Sequence, residues 1–253
     1  MTNLLLFSAL FFATALFVSG QVKTPTPPPT KVPFAESMQA IVVTTSDWTA
    51  TSGKARLFER KDRKSKWVAV GDEFPVVVGR NGLGWSRDTA PERVSEFKAE
   101  GDGKAPAGMF PLTFAFGSGV KPEAVTVPYT RLEQNTECVD DVNSGHYNKV
   151  VDRMKVGNFD WKSSEKMLAV GAEYDLGLFV AHNTYSVRKG DGSCIFLHIW
   201  KDATSPTSGC TAMERTKLER ILTWVDTKSN PYLIQLPEKE YKNLSKAWGL
   251  PKL

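Results

Sequence analysis

The stretch GSCIFLHIWKDATSPTSGCTAMERTKLERIL, Gly192 to Leu222, changes its residue pattern twice. Cys194 to Ile199 is a short, β-branched apolar run of the strand type, and His198 stands near its end. A polar loop containing Pro206 follows. Gly209-Cys210 then precedes a segment that places Leu218, Ile221, Leu222 and Val225 on one helical stripe, so a helix is expected over Glu214 to Thr227. A thiol with an ordinary pKa of about 8.5 is mostly protonated at neutral pH, so a nucleophilic Cys needs a base or a favourable field. A strand-end imidazole and a Cys just ahead of a helix N-terminus supply both. Main-chain N–H groups around Gly209, Cys210 and Thr211 can then face a developing oxyanion.

Each piece also has an ordinary reading. A buried Cys packs, a strand-end His makes a hydrogen bond, and Ser-Gly makes a turn. Their order in one strand-loop-helix unit favours the catalytic reading, with Cys210 as nucleophile and His198 as base. The His precedes the Cys by about a dozen residues, whereas papain-like enzymes put the Cys first. His182, His198 and Cys210 lack paired metal-ligand spacing, so neither a metal nor a cofactor is expected.

Working outward, similar runs recur at Ala40 to Thr45, Ala55 to Phe58, Trp67 to Val70, Phe74 to Val78, Leu178 to Ala181 and Tyr232 to Leu236. Gly71-Asp72 and Gly190-Asp191-Gly192 punctuate them. The chain therefore reads as mainly β, of sandwich or barrel type. A short helix is expected at Ser163 to Leu168 and another at Glu238 to Trp248, stopped by Gly249-Leu250-Pro251. Arg80 to Val127, rich in Gly and Pro, reads as an extended excursion from the sheet that shapes a site.

With 253 residues and 41% apolar content, the chain suits one good-sized core rather than two. Its 32 basic and 28 acidic side chains are interleaved, which argues against nucleic acid. The slight excess of positive charge suits a polyanionic wall. Residues 1–20 read as a secretory signal, too short for a comfortable membrane span, with an uncleaved anchor as the alternative. Residues 21–36 read as a Pro-rich linker and 37–253 as a single catalytic domain with its core at about 67–227. The expected product is an exported monomer of the periplasm or cell envelope, with no stable membrane span after cleavage. Three cysteines leave one odd. If Cys210 stays free, Cys138 and Cys194 remain to form a bridge, although both also suit small buried apolar sites.

At Thr207-Ser208-Gly209-Cys210, preceded by His198, the sequence resembles the L,D-transpeptidase catalytic domain (YkuD-like) family. It is similar in particular to a branch of mostly uncharacterised secreted members. The shared blocks are GRNGLGW (Gly79 to Trp85), EGDGKAPAGMFPL (Glu100 to Leu112), CVDDVNSGHYNKVVD (Cys138 to Asp152), WKSSEKM (Trp161 to Met167) and FVAHN (Phe179 to Asn183). The resemblance implies a cysteine acyltransferase acting on peptidoglycan stem peptides. Cys210 would attack an L-centre carbonyl of a tetrapeptide, and His198 would carry the proton to the leaving amine. An amine acceptor then gives a cross-link, and water gives an L,D-carboxypeptidase. A catalytically idle wall-binding module is a third reading, although such a module needs no thiol. Gly209, Thr211, Ser208, Thr207, Asn183 and Arg80 are assigned to oxyanion or substrate binding. Thr211-Ala212-Met213 stands where many members carry an Arg, and Arg80 or Lys201 is the candidate replacement.

Three further features have two readings each. His146 either lines the cleft or stabilises its loop. His182 either supports the site or is structural. Asp140-Asp141 either binds a cation or caps a turn.

Overall fold

The computed structural model describes residues 33–253, so the signal expected at 1–20 and most of the linker expected at 21–36 lie outside the described residues. Eight strands form a closed barrel: β1 (Gln39–Thr45), β2 (Ser52–Glu59), β3 (Val68–Val77), β4 (Ala105–Gly117), β5 (Gly177–Val180), β6 (Phe196–Ile199), β7 (Thr211–Met213) and β8 (Tyr232–Pro237). Around the ring the order is β1-β2-β3-β7-β6-β5-β4-β8, and β8 returns to β1. The β8/β1 and β6/β7 pairs are parallel and the other six are antiparallel. Closure leaves the ring without a free edge. β1 and β8 are buried along almost their whole length, as their unbroken apolar runs require.

Four sequence expectations are corrected by the structure. Arg80 to Val127 is not an excursion: it contains β4, the longest strand of the barrel. Prolines argue against a central strand because they lack the ladder donor, but the ladder steps round Pro111. The Pro111 carbonyl accepts the Ala181 N–H, and Leu112 donates to the Pro231 carbonyl. Ser163 to Leu168 is not a helix. Glu165–Lys166 forms a strand and Met167–Val170 a 3-10 turn, because Glu165 pairs with Cys138. The folded unit also extends beyond both expected limits. Phe34, assigned to the linker, stacks on Trp67 at 5.6 Å between ring centroids and is buried, while β1, β2 and β8 carry core outside 67–227. In addition, the two runs flanking Gly71-Asp72 are one strand. Gly71, at φ 72°, sits within β3 close to a register shift against β2.

Helix α1 (Arg215–Trp224) buries Leu218, Ile221 and Leu222 against the barrel. Each such side chain removed from water contributes about 1.5–3 kcal/mol. Helix α2 (Glu238–Trp248) ends where Gly249 turns left-handed at φ 63°.

A small antiparallel sheet of Thr136–Cys138, Val150–Asp152 and Glu165–Lys166 covers one side of the barrel. Cys138 and Cys194 are disulfide-bonded and clip this sheet to the start of β6. Phe116, Phe179, Phe196, Tyr174, Met167 and Cys210 pack in the apolar cluster under the clip.

Candidate active site

Cys210 is a free cysteine at the last position before β7. The parallel register pairs Leu197 with Thr211 and His198 with Ala212, which sets Cys210 level with Phe196 and puts His198 two residues further along β6. The Phe196 N–H donates to the Cys210 Sγ at 3.3 Å, and the thiol donates to the Cys194 carbonyl at 3.5 Å. Burial, and then the charge of Glu165, push the thiol up to about 12, while the Phe196 N–H, Lys98 and Tyr174 pull the other way. At neutral pH Cys210 is therefore a thiol.

His198 is buried, and its Nδ1 lies 2.8 Å from the Ile199 carbonyl. A carbonyl only accepts, so Nδ1 carries the proton and Nε2 keeps the lone pair of a base. Burial lowers its proton affinity below the ordinary His range, against the Ile199 hydrogen bond and Glu173, which raise it. The hydrogen bonds of Cys210 and His198 do not join the two residues directly. Tyr174 lies beside both: its ring meets the His198 ring edge-on at 5.3 Å, and it packs in the same apolar cluster as Cys210.

A cleft of about 300 Å³ opens onto the thiol. Arg80, Lys98, Ser208 and Gly209 lie along it, and Glu100, Asp140 and Glu165 supply its acidic groups. The Lys98 side chain is only 4% exposed and its Nζ bonds the Asp102 carboxylate at 3.0 Å. It sits beside Gly209, about where a Cβ there would be approached at 3.7 Å. Glu100 holds its wall in place by accepting from the hydroxyls of Tyr147 (2.5 Å) and Ser193 (2.6 Å). Asp140 Oδ1 is buried without a partner among the described residues.

The other assigned residues divide clearly. Arg80, Ser208 and Gly209 line the cleft. Thr207 instead braces the nucleophile loop: its Oγ1 accepts from the Gly209 N–H at 3.1 Å and donates to the Cys210 carbonyl at 2.7 Å. The Gly209 N–H is thus spent, whereas the Cys210 N–H has no partner among the described residues. Gly209 itself is at φ 153°, and a Cβ there would meet the Lys104 carbonyl oxygen at 3.1 Å.

Thr211 is not among the residues lining the cleft. It is buried in β7 and its hydroxyl donates to Gln235 Oε1 at 2.6 Å. Asn183 is likewise used up internally, bonding the backbone of Arg188 and Gly192. The helix-dipole expectation also fails, because β7 separates Cys210 from α1. Lys201 is exposed and is not among the residues lining the cleft. His182 is structural, with its ring nitrogens on Ser86 Oγ and the Asp191 carbonyl. His146 packs edge-on against Trp161. Asp141 caps its turn through the Asn143 and Lys162 N–H groups. Lys98, Tyr174 and Glu165 are the functional candidates that sequence reasoning missed. Glu165 lies in the WKSSEKM block, whose serines point to a helix rather than the strand it forms, and the other two carry no local signal.

No helix among the described residues is long and apolar enough to cross a membrane. The family model for the L,D-transpeptidase catalytic domain (YkuD) matches residues 51–234, well over half of the chain. No curated protein and no solved structure matches.

Proposed function

Since the chain belongs to the L,D-transpeptidase catalytic domain family, we propose that it is a peptidoglycan L,D-transpeptidase with Cys210 as its nucleophile. Cys210 attacks the carbonyl of an L-centre in a stem tetrapeptide, and the terminal D-residue leaves as the thioester forms. The Cys210 N–H stabilises the oxyanion, and His198, with Nε2 unprotonated, is the imidazole that trades protons with the reacting amines. An amine of a second stem then resolves the thioester into a cross-link.

The observation that carries this reading is a free thiol at the floor of a cleft with mixed charge. Lys98 and Arg80 suit a peptide carboxylate there, taking the place of the Arg that many family members carry after the Cys. The acidic groups across the cleft suit an amine. The Cys138–Cys194 disulfide supports an exported protein working in the cell envelope, because such bonds persist in oxidising compartments.

A carbapenem tests the nucleophile. Its strained carbonyl should leave a covalent adduct that peptide mapping assigns to Cys210. Folded, reduced protein that forms no adduct contradicts the reading.

A further inference from the structure

Two cations line the cleft at Cys210, and their surroundings differ. Arg80 is exposed, so water and salt screen its charge. The Lys98 side chain is 4% exposed, and a buried ammonium keeps far more of its field at short range. Two glycines let it reach the nucleophile loop. A Cβ at Gly192 would collide with the Lys98 Cε at 2.8 Å, so bare backbone there makes room for the stem. A Cβ at Gly209 would stand 3.7 Å from Nζ, so its absence keeps the space beside the ammonium open next to Cys210.

The ammonium is also fixed and incompletely used. It donates to Asp102 Oδ1 at 3.0 Å and to the Ala99 carbonyl at 3.4 Å, and its third N–H has no partner among the described residues. Asp102 is itself held: Oδ1 accepts the Lys104 N–H at 2.9 Å and Oδ2 the Ala99 N–H at 2.8 Å. Because this carboxylate is shared with two backbone donors, it anchors the lysine without cancelling its charge. A buried cation with a spare donor beside a nucleophile is a site for an anionic group.

We infer that Lys98 is a specificity-determining residue whose ammonium binds a carboxylate on the donor, next to the bond that Cys210 attacks, while Arg80 adds only a screened field. In the proposed transpeptidase reaction, on which the identity of that donor rests, the group is the free carboxylate of the terminal D-residue that leaves. Glu100, Asp140 and Glu165, which also line the cleft, repel the same group and leave Lys98 as its buried partner. A donor amidated at that carboxylate keeps its shape and loses its charge, so Cys210 should discriminate against it.

Two alkylating agents that differ in that charge test the site without any wall peptide. Iodoacetate carries a carboxylate where iodoacetamide carries a neutral amide. With the disulfide intact, Cys210 is the one thiol either can label. Both react with the same thiolate, so the ratio of their rates cancels any change in the ionisation of the thiol. The iodoacetate-to-iodoacetamide ratio is expected to be about tenfold higher in folded wild type than in the same chain unfolded in urea. It should fall about tenfold in Lys98→Met, which keeps an unbranched stem, and by less than about threefold in Arg80→Met. A folded wild type with the ratio of the unfolded chain overturns the site, whether or not the Lys98 variant folds. So does a folded Lys98→Met that keeps the wild-type ratio, or an Arg80→Met that loses as much. A stem tetrapeptide and its C-terminal amide then test the donor: wild type should favour the free acid about tenfold and Lys98→Met should favour neither. Equal turnover of the two by wild type overturns the assignment of the terminal carboxylate. A raised iodoacetate ratio that depends on Lys98, with tetrapeptides left untouched, upholds the anion site and faults the transpeptidase reading.

Discussion

Removing the Cys138–Cys194 clip should cost stability and loosen the acidic wall of the cleft together. The bridged cysteines are 56 residues apart in sequence. Cross-linking a loop of that size removes denatured-chain entropy worth about 4 kcal/mol. The double variant Cys138→Ala/Cys194→Ala keeps Cys210 as its one thiol and should lose about that much. In urea, with a slope of about 2–3 kcal/mol/M, the midpoint should fall by about 1.3–2 M. The same clip fixes the sheet that holds Glu165 and precedes the Cys194 carbonyl, to which the Cys210 thiol donates. Iodoacetamide labelling of Cys210 should therefore change in the double variant at urea concentrations where it is still folded. Thiol counting on denatured wild type should give one thiol without reductant and three with it. Three thiols without reductant, or a midpoint that does not move, would refute the reasoning.

Gly209→Ala forces a Cβ onto left-handed backbone against the Lys104 carbonyl, costing about 1–3 kcal/mol and lowering the melting temperature by roughly 3–10 °C. Thr207→Val leaves the Gly209 N–H and the Cys210 carbonyl without their shared partner and should cost about 1–3 kcal/mol, read by denaturant unfolding. Burial first of all holds His182 down to about 4, so the unfolded chain binds a proton below pH 6.5 that the folded chain refuses. Its contribution is complete above pH 6.5 and should shrink by roughly 3 kcal/mol as pH falls to 4. Glu165, raised by burial to about 7, works in the opposite direction over much of that window. The check is therefore the difference in pH slope between wild type and His182→Gln, and equal slopes would contradict it.

Much of the barrel could be read from the chain because its strands are β-branched runs with period or length that little else satisfies. β1, β6 and β8 fall close to where the pattern puts them, and α2 matches to the residue. β4 was hidden because its prolines and Gly108 suppress the local signal, while the contacts that stabilise it come from β8 and β5, far away in sequence. At the site, Cys210 and His198 were legible because they lie in one strand-loop unit. Thr211 and Asn183 sit in family blocks, yet their roles as internal braces depend on Gln235 and on the 188–192 backbone, which no local pattern reveals. Lys98 and Glu165 line the cleft beside the thiol, and Tyr174 packs in the cluster with Cys210, from three separate segments that only the closed barrel with its clipped sheet brings together.

The account turns on Cys210 transferring wall peptide. Purified protein incubated with disaccharide tetrapeptides, with Cys210→Ala alongside, tests that most directly by mass spectrometry of the products. The account predicts cross-linked dimers together with released terminal D-residue, all absent in Cys210→Ala. Shortened monomers without dimers would replace transfer by hydrolysis at the same thioester. Unchanged tetrapeptides with folded, reduced wild type would contradict the central claim.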